Sequence, residues 1–218
     1  MEQLHLICNT ILHLDSYLFS FVSQYGAWTY LVLFLIIFCE TGLVILPFLP
    51  GDSLLFASGS IAAQSSASLD IVLLFTLLVI ASIIGNQLNY FFGRVIGPQV
   101  FTSDKSRFLN KKYLMKTHHF YEKHGGKTII FARFIPIIRT FAPFIAGIGY
   151  MKRSHFFLYN IASATLWIGS LLFLGYFVGG LPFIKNNFTL VIYGIIVLSL
   201  LPPILTFLYR KLARAQKN

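Results

Sequence analysis

Apolar residues fall along this chain in long blocks divided by short polar ones. Ala27 to Pro50, Ile71 to Gly93, Thr128 to Tyr150, Phe156 to Gly180 and Phe188 to Tyr209 are each near the length that crosses hydrocarbon, about 20 residues for an α-helix. The pattern predicts an all-α integral membrane protein. The start differs: Leu4, Ile7, Ile11, Leu14, Leu18, Phe21, Val22 and Tyr25 share one face at helical spacing, and His5, Asn9, His13, Ser16, Ser20 and Ser23 the other. That predicts an amphipathic helix in the membrane interface. MEQLHLICNTILHLDSYL has no basic start and no small-residue cleavage site, so it reads as retained rather than as a signal peptide.

Composition strengthens the membrane reading. Hydrophobic residues make up 56% of the chain and charged ones 11%, about half the charge of a soluble domain. A net charge of +10 would suit a nucleic-acid binder, but its placement does not. No Lys or Arg precedes Arg94; Arg94, Lys105, Arg107, Lys111, Lys112, Lys116, Lys123 and Lys127 then crowd one polar stretch. Lys152 and Arg153 mark a second place, and Arg210, Lys211, Arg214 and Lys217 a third. The positive-inside rule puts all of these in the cytoplasm, with anionic lipid headgroups as their partners and no nucleic acid. Cys8 and Cys39 stand far apart in apolar surroundings, and no metal or cofactor is expected.

Those basic places constrain the topology. If Lys127 and Lys152 are on one side, the apolar segment between them must enter and leave by the same face. Pro136 and Pro143 interrupt it and predict a re-entrant hairpin. Residues 156–180 then cross outward, 181–187 turn outside, and 188–209 return to a cytoplasmic tail, 210–218. Residues 71–93 must come in from outside. ETGLVILPFLPGDSLL, broken by Pro47, Pro50 and Gly51, then predicts a second re-entrant hairpin, over 27–62, from the opposite face.

An inverted repeat follows. The first copy occupies 1–93; after a basic cytoplasmic segment at 94–127, where Leu109, Tyr113 and Phe120 give a weaker apolar face, the second occupies 128–180. The expected architecture is a single membrane domain with two opposed proline-broken hairpins, about three spanning helices and interfacial amphipathic helices. Opposed broken helices at the midplane are a recurrent transporter plan, tolerated where protein or a watery cavity covers the irregular backbone. The competing architecture is a six-helix bundle with proline kinks.

Four formal charges lie in the apolar segments and divide by repeat: Glu40 and Asp52 in the first hairpin, Arg133 and Arg139 in the second. A charge at the centre of a membrane helix costs about 2.5–3.5 kcal/mol on insertion scales. Two acids meeting two arginines solve that by pairing. Such pairs are weak evidence of stability, whereas intramembrane ionisable residues are functional candidates by default. Arginine offers a planar fork of donors to phosphate oxygens, and helix starts after the proline breaks add oriented N–H groups, one of which Asp52 or Ser53 can cap. Burial and a neighbouring arginine act oppositely on a carboxylate, so Glu40 and Asp52 are both candidates to exchange a proton.

Other motifs fail on their partners. GDSL at Gly51 to Leu54 matches an esterase signature, but the activating Asp-x-x-His block is missing. ASGS at Ala57 to Ser60 likewise lacks the partner of a serine protease. His118, His119, His124 and His155 read as interfacial. GNQLNYFFGRVIG ends a membrane helix and follows no strand, so its glycines suit close helix packing rather than phosphate binding. The chain is not expected to be an enzyme.

ETGLVILPFLPGDSLLFASG, the Gly85, Tyr90, Gly93, Arg94 pattern, FYEKHGGKTIIFARFIPIIRTFAPFIAG and YNIASATLW together resemble the DedA family, of the VTT superfamily, along nearly the whole chain. The resemblance implies a bacterial inner-membrane protein with two opposed re-entrant hairpins, in a group that includes undecaprenyl phosphate flippases and distant phospholipid scramblases. It also implies links to the proton motive force, envelope integrity and resistance to cationic peptides. The family's functional acids carry over to Glu40 and Asp52 and its arginines to Arg133 and Arg139. Relatives often place an acid where this chain has Asn86, which bears on proton coupling.

The combined expectation is a proton-linked transporter that moves undecaprenyl phosphate, or a similar anionic lipid phosphate, between leaflets. Arg133 and Arg139 bind phosphate; Glu40 and Asp52 hold the arginines or exchange the proton. A homo-oligomer is compatible with it. The alternatives are a small cation–proton antiporter and a non-transporting scaffold.

Overall fold

The computed structural model describes residues 26–43, 51–63, 69–100 and 126–179, with residues 181 and 194; residues 97–100, 136 and 137 are described by backbone alone. The expected amphipathic start, Pro47, Pro50, most of the basic segment, all but residue 194 of the expected spanning segment at 188–209, and the tail lie outside the described residues. Within them the structure is all-helical and has no strand.

Among the described residues there are six helices: α1 (Ala27–Gly42), α2 (Gly51–Ala62), α3 (Ile71–Val100), α4 (Lys127–Arg133), α5 (Pro136–Ile148) and α6 (Arg153–Gly179). Residues 71–96 of α3 and all of α6 are long and apolar enough to cross a membrane. At 1.5 Å per residue they reach about 40 Å, against about 30 Å of hydrocarbon. Asp70 starts α3 by accepting the Leu73 amide at 2.7 Å on Oδ1, the usual service of an N-cap acid. The helix passes Gly93, where the apolar block ends, and continues to Val100.

The 128–150 block is broken, as its prolines predict, but at one of them only. Ile135 is extended (φ −113°, ψ 108°) and Pro136 opens α5. Proline disfavours helical backbone in the residue before it and fits the first helical turn. Pro143, expected to be a second break, lies inside α5, which runs on to Ile148. Its ring removes only the amide that would reach the Arg139 carbonyl, and the rest of the helix bonds around it.

Contacts divide the chain into two compact units. The first takes residues 1–33, 50–75 and 169–218. In it α2 is buried along nearly its whole length, and it meets the end of α6 backbone to backbone. A Cβ on Gly59 would collide with the Leu172 carbonyl, and one on Gly175 with that of Phe56. Ile61 and Leu69 pack with Tyr30 and Ala62, and the Tyr30 hydroxyl accepts the Asp70 amide at 2.6 Å. Gly59→Ala should therefore lower the thermal midpoint in detergent, at a cost of about 1–3 kcal/mol for overpacking. Gly169→Ala is the control, since its Cβ would lie 3.4 Å from Phe75, an accommodating distance.

The second unit takes residues 34–49 and 76–168. Its apolar core joins Tyr90, Ile129, Ala132, Ala142, Ala146, Met151 and Phe156, with the Tyr90 and Phe156 rings stacked at 4.3 Å. Two glycine crossings aim its helices. Gly42 at the end of α1 faces Gly85 of α3, where a Cβ would lie 3.2 Å from the Gly85 Cα. Further along α3, Gly93 meets the Phe144 carbonyl and Gly147 that of Tyr90. These small residues let α3 hold α1 and α5 at backbone distance.

Candidate functional site

Both crossings in the second unit deliver a charge to its interior. The last turn of α1 carries Glu40, which is fully buried, and the first turn of α5 carries Arg139, which is 7% exposed. Nη2 of Arg139 donates to Oε1 of Glu40 in a buried ion pair. Arg133, the last residue of α4, is 3% exposed. The break at Phe134 and Ile135 thus places one arginine just before it and one just after it.

Trp167 of α6 organises the pair of arginines. The Arg133 guanidinium lies 4.9 Å from its ring centroid and that of Arg139 4.8 Å. Each such contact is worth about 2 kcal/mol or more when desolvated, and Trp167 itself is 2% exposed. Planar guanidiniums stack on an aromatic face in a way that an ammonium cannot.

Asn89 ties the two charged helices together. Its Nδ2 donates to the carbonyls of Thr41 at 3.2 Å and Thr140 at 2.8 Å. These are the residues that follow Glu40 and Arg139, so one amide of α3 sets the spacing of both. The Thr41 carbonyl lies in the last turn of α1, where intrahelical donors have run out. Asn86, one turn before, donates to Asn160 Oδ1 at 2.8 Å, and Asn160 Nδ2 donates to the Ile83 carbonyl at 3.0 Å. Asn86 is thus part of a neutral amide network.

The site therefore brings together Glu40, Arg139 and, through Trp167, Arg133. Asp52 lies in the first turn of α2, in the first unit, and is partly buried. Gly51 opens that helix. Sequence reasoning did not single out Trp167 or Asn89. The signal for Asn89 was the spacing of Ser82, Asn86 and Asn89, a polar stripe on one face of an apolar helix. Trp167 stood in an apolar run without a feature to separate it from packing. Chemically, a guanidinium paired with a carboxylate can exchange it for phosphate oxygens, which fit the same fork. Among the described residues no group of His, Cys, Asp or Glu has the arrangement of a metal site.

Asn89→Leu keeps the side-chain size and removes the donor. It should destabilise the protein by about 1–3 kcal/mol, the cost of leaving buried carbonyls short of a donor, read as a lower thermal midpoint in detergent.

Apolar helices of this length around a buried acid–arginine core define a helical membrane protein, and a VTT domain is matched over residues 49–177. The chain belongs to the DedA family of VTT-domain membrane proteins. It is 48% identical over 216 residues to Protein DedA of Escherichia coli K12, covering 99% of each chain. It is also 41% identical over 184 residues to an uncharacterized membrane protein of Mycobacterium tuberculosis H37Rv, covering 84% of this chain and 80% of that one. Inner membrane protein YqjA of Escherichia coli K12 is 36% identical over 153 residues, 70% and 69% of the two chains. No solved structure matches.

Proposed function

We propose that this protein is a proton-linked transporter of the bacterial inner membrane that moves an anionic lipid phosphate, of the undecaprenyl phosphate kind, between leaflets. The observation that carries the reading is the Glu40–Arg139 ion pair buried beside an Arg133–Trp167–Arg139 stack. A buried pair stabilises little beyond what apolar residues would, so its presence in an apolar interior favours use over support. In this mechanism Arg139 and Arg133 take the phosphate oxygens, Glu40 releases Arg139 as the ligand arrives, and Glu40 or Asp52 takes up a proton in exchange. The protein makes and breaks no covalent bond in its substrate.

The same reading uses two opposed re-entrant hairpins in an inverted repeat, with the C-terminus in the cytoplasm. Helix lengths support it: α1, α2, α4 and α5 have 16, 12, 7 and 13 residues, each short of the about 20 that span a bilayer. Glycine contacts support it too. In the first unit α2 meets α6 at Gly59 and Gly175, and in the second α5 meets α3 at Gly147 and Gly93. The second helix of each broken segment thus packs on the long helix of the other half of the chain.

Phosphate recognition is tested by binding. Purified protein titrated with a polyprenyl phosphate should bind it at least about 10-fold more tightly than the matching polyprenol, the scale of a charge-assisted contact. Trp167 fluorescence, with Trp28→Phe as background, reads the change. Equal affinity for the two lipids would refute a phosphate site.

A further inference from the structure

Away from the buried charges, α3 and the start of α6 enclose a groove of about 420 Å³. Ile84, Leu88, Phe91 and Phe157 wall it. This lies within the 300–1,000 Å³ range of ligand pockets, and the apolar walls suit a hydrocarbon chain. Two polar features mark it off from an ordinary lipid-facing surface. Arg153 lines one part of it. Gln87 also lines it, and its buried side-chain carbonyl has no hydrogen-bond partner among the described residues.

The rim beside Arg153 is basic and fixed in place. Tyr90, another lining residue, donates its hydroxyl to the Met151 carbonyl at 2.5 Å and accepts from Arg94 Nη1 at 2.8 Å. The Arg94 guanidinium lies 5.3 Å from the Tyr150 ring. Tyr150 has a positive φ of 53°, and the turn around it is closed by Met151 N–H to the Ala146 carbonyl and Tyr150 N–H to that of Gly147, both at 3.1 Å. This is the bonding of a Schellman helix end, a place normally given to glycine. Lys152 and Arg153 follow Met151 in the chain, and the Met151 carbonyl shares the Tyr90 hydroxyl with Arg94. Among the described residues the carboxylates are Glu40, Asp52 and Asp70, and none lines the groove.

We propose that this groove is a binding site for an anionic glycerophospholipid, separate from the transport site: one acyl chain lies between α3 and α6 and the headgroup phosphate is held by Arg153, Lys152 and Arg94. Basic pockets between membrane helices hold anionic headgroups for this reason. A hydroxyl-bearing headgroup such as phosphatidylglycerol can also donate to the Gln87 carbonyl, which phosphatidylcholine cannot. The site uses neither Glu40, Arg133 nor Arg139, so it stands whether or not the protein transports lipid.

Full-length protein in detergent, mixed with phosphatidylglycerol and phosphatidylcholine of the same acyl chains, tests this by native mass spectrometry of retained lipid. Wild type should retain phosphatidylglycerol in excess. Lys152→Ala and Arg153→Ala should each lower that excess about fivefold, and Leu88→Trp should lower retention of both lipids by filling the groove. Should Leu88→Trp fail to fold, Ile84→Trp makes the same test from a more exposed position. Leu174→Trp, outside the groove, should retain lipid as wild type does. Equal retention of the two lipids by wild type, or full retention in the charge-removed and groove-filled variants, would overturn the assignment.

Discussion

Replacing Glu40 alone with leucine should destabilise the protein by about 3–5 kcal/mol, because the Arg139 guanidinium would stay buried without the carboxylate it now bonds. In a domain of this size that lowers the thermal midpoint by about 6–20 °C. Glu40→Leu combined with Arg139→Met should recover most of the loss, since apolar residues of similar volume replace a buried pair at little cost. Thermal unfolding in detergent of the two single variants and the double variant measures the coupling. The recovered double variant also separates two functions of the pair. If the charges only fix the fold, it retains its cellular activity; if they bind substrate, it is stable and inactive.

Arg139→Lys is the second large effect, and it falls on activity. Lysine keeps the charge but loses the planar fork and the stacking on Trp167, 4.8 Å away. Loss of a charge-assisted, two-pronged contact is worth about 1.5–3 kcal/mol, so lipid transport in proteoliposomes should fall about 10- to 150-fold. Stability should change less than in Glu40→Leu, because an ammonium can still meet the Glu40 carboxylate. Near-normal transport by Arg139→Lys would remove the case for bidentate binding.

How much of this could be read from sequence depends on whether the cause is local. Pro136 broke the chain where expected because proline acts on its own residue and the one before it. Pro143 did not, because a single missing amide in a helix held by its neighbours at Ala142 and Ala146 is a small cost against that packing. The close approach at Gly85 and Gly93 was legible as glycines spaced along an apolar helix. The meeting of Glu40 with Arg139 was legible as charge balance in an apolar medium, where few other arrangements are affordable. Trp167 and Asn89 were not, since a tryptophan or an asparagine in a membrane segment becomes informative only once the fold shows which carbonyl or guanidinium it faces. The same holds for Asn86, whose amide is bonded to Asn160.

The proposed transport role has a direct measurement. Labelled polyprenyl phosphate is placed in one leaflet of sealed proteoliposomes, and its appearance in the other is followed with and without a pH gradient for wild type, Glu40→Gln and Arg139→Ala. Wild type should move the label, faster with the gradient, while both variants fall to the rate of protein-free vesicles. Label crossing at one rate in all three proteins would contradict a transport role for the buried pair.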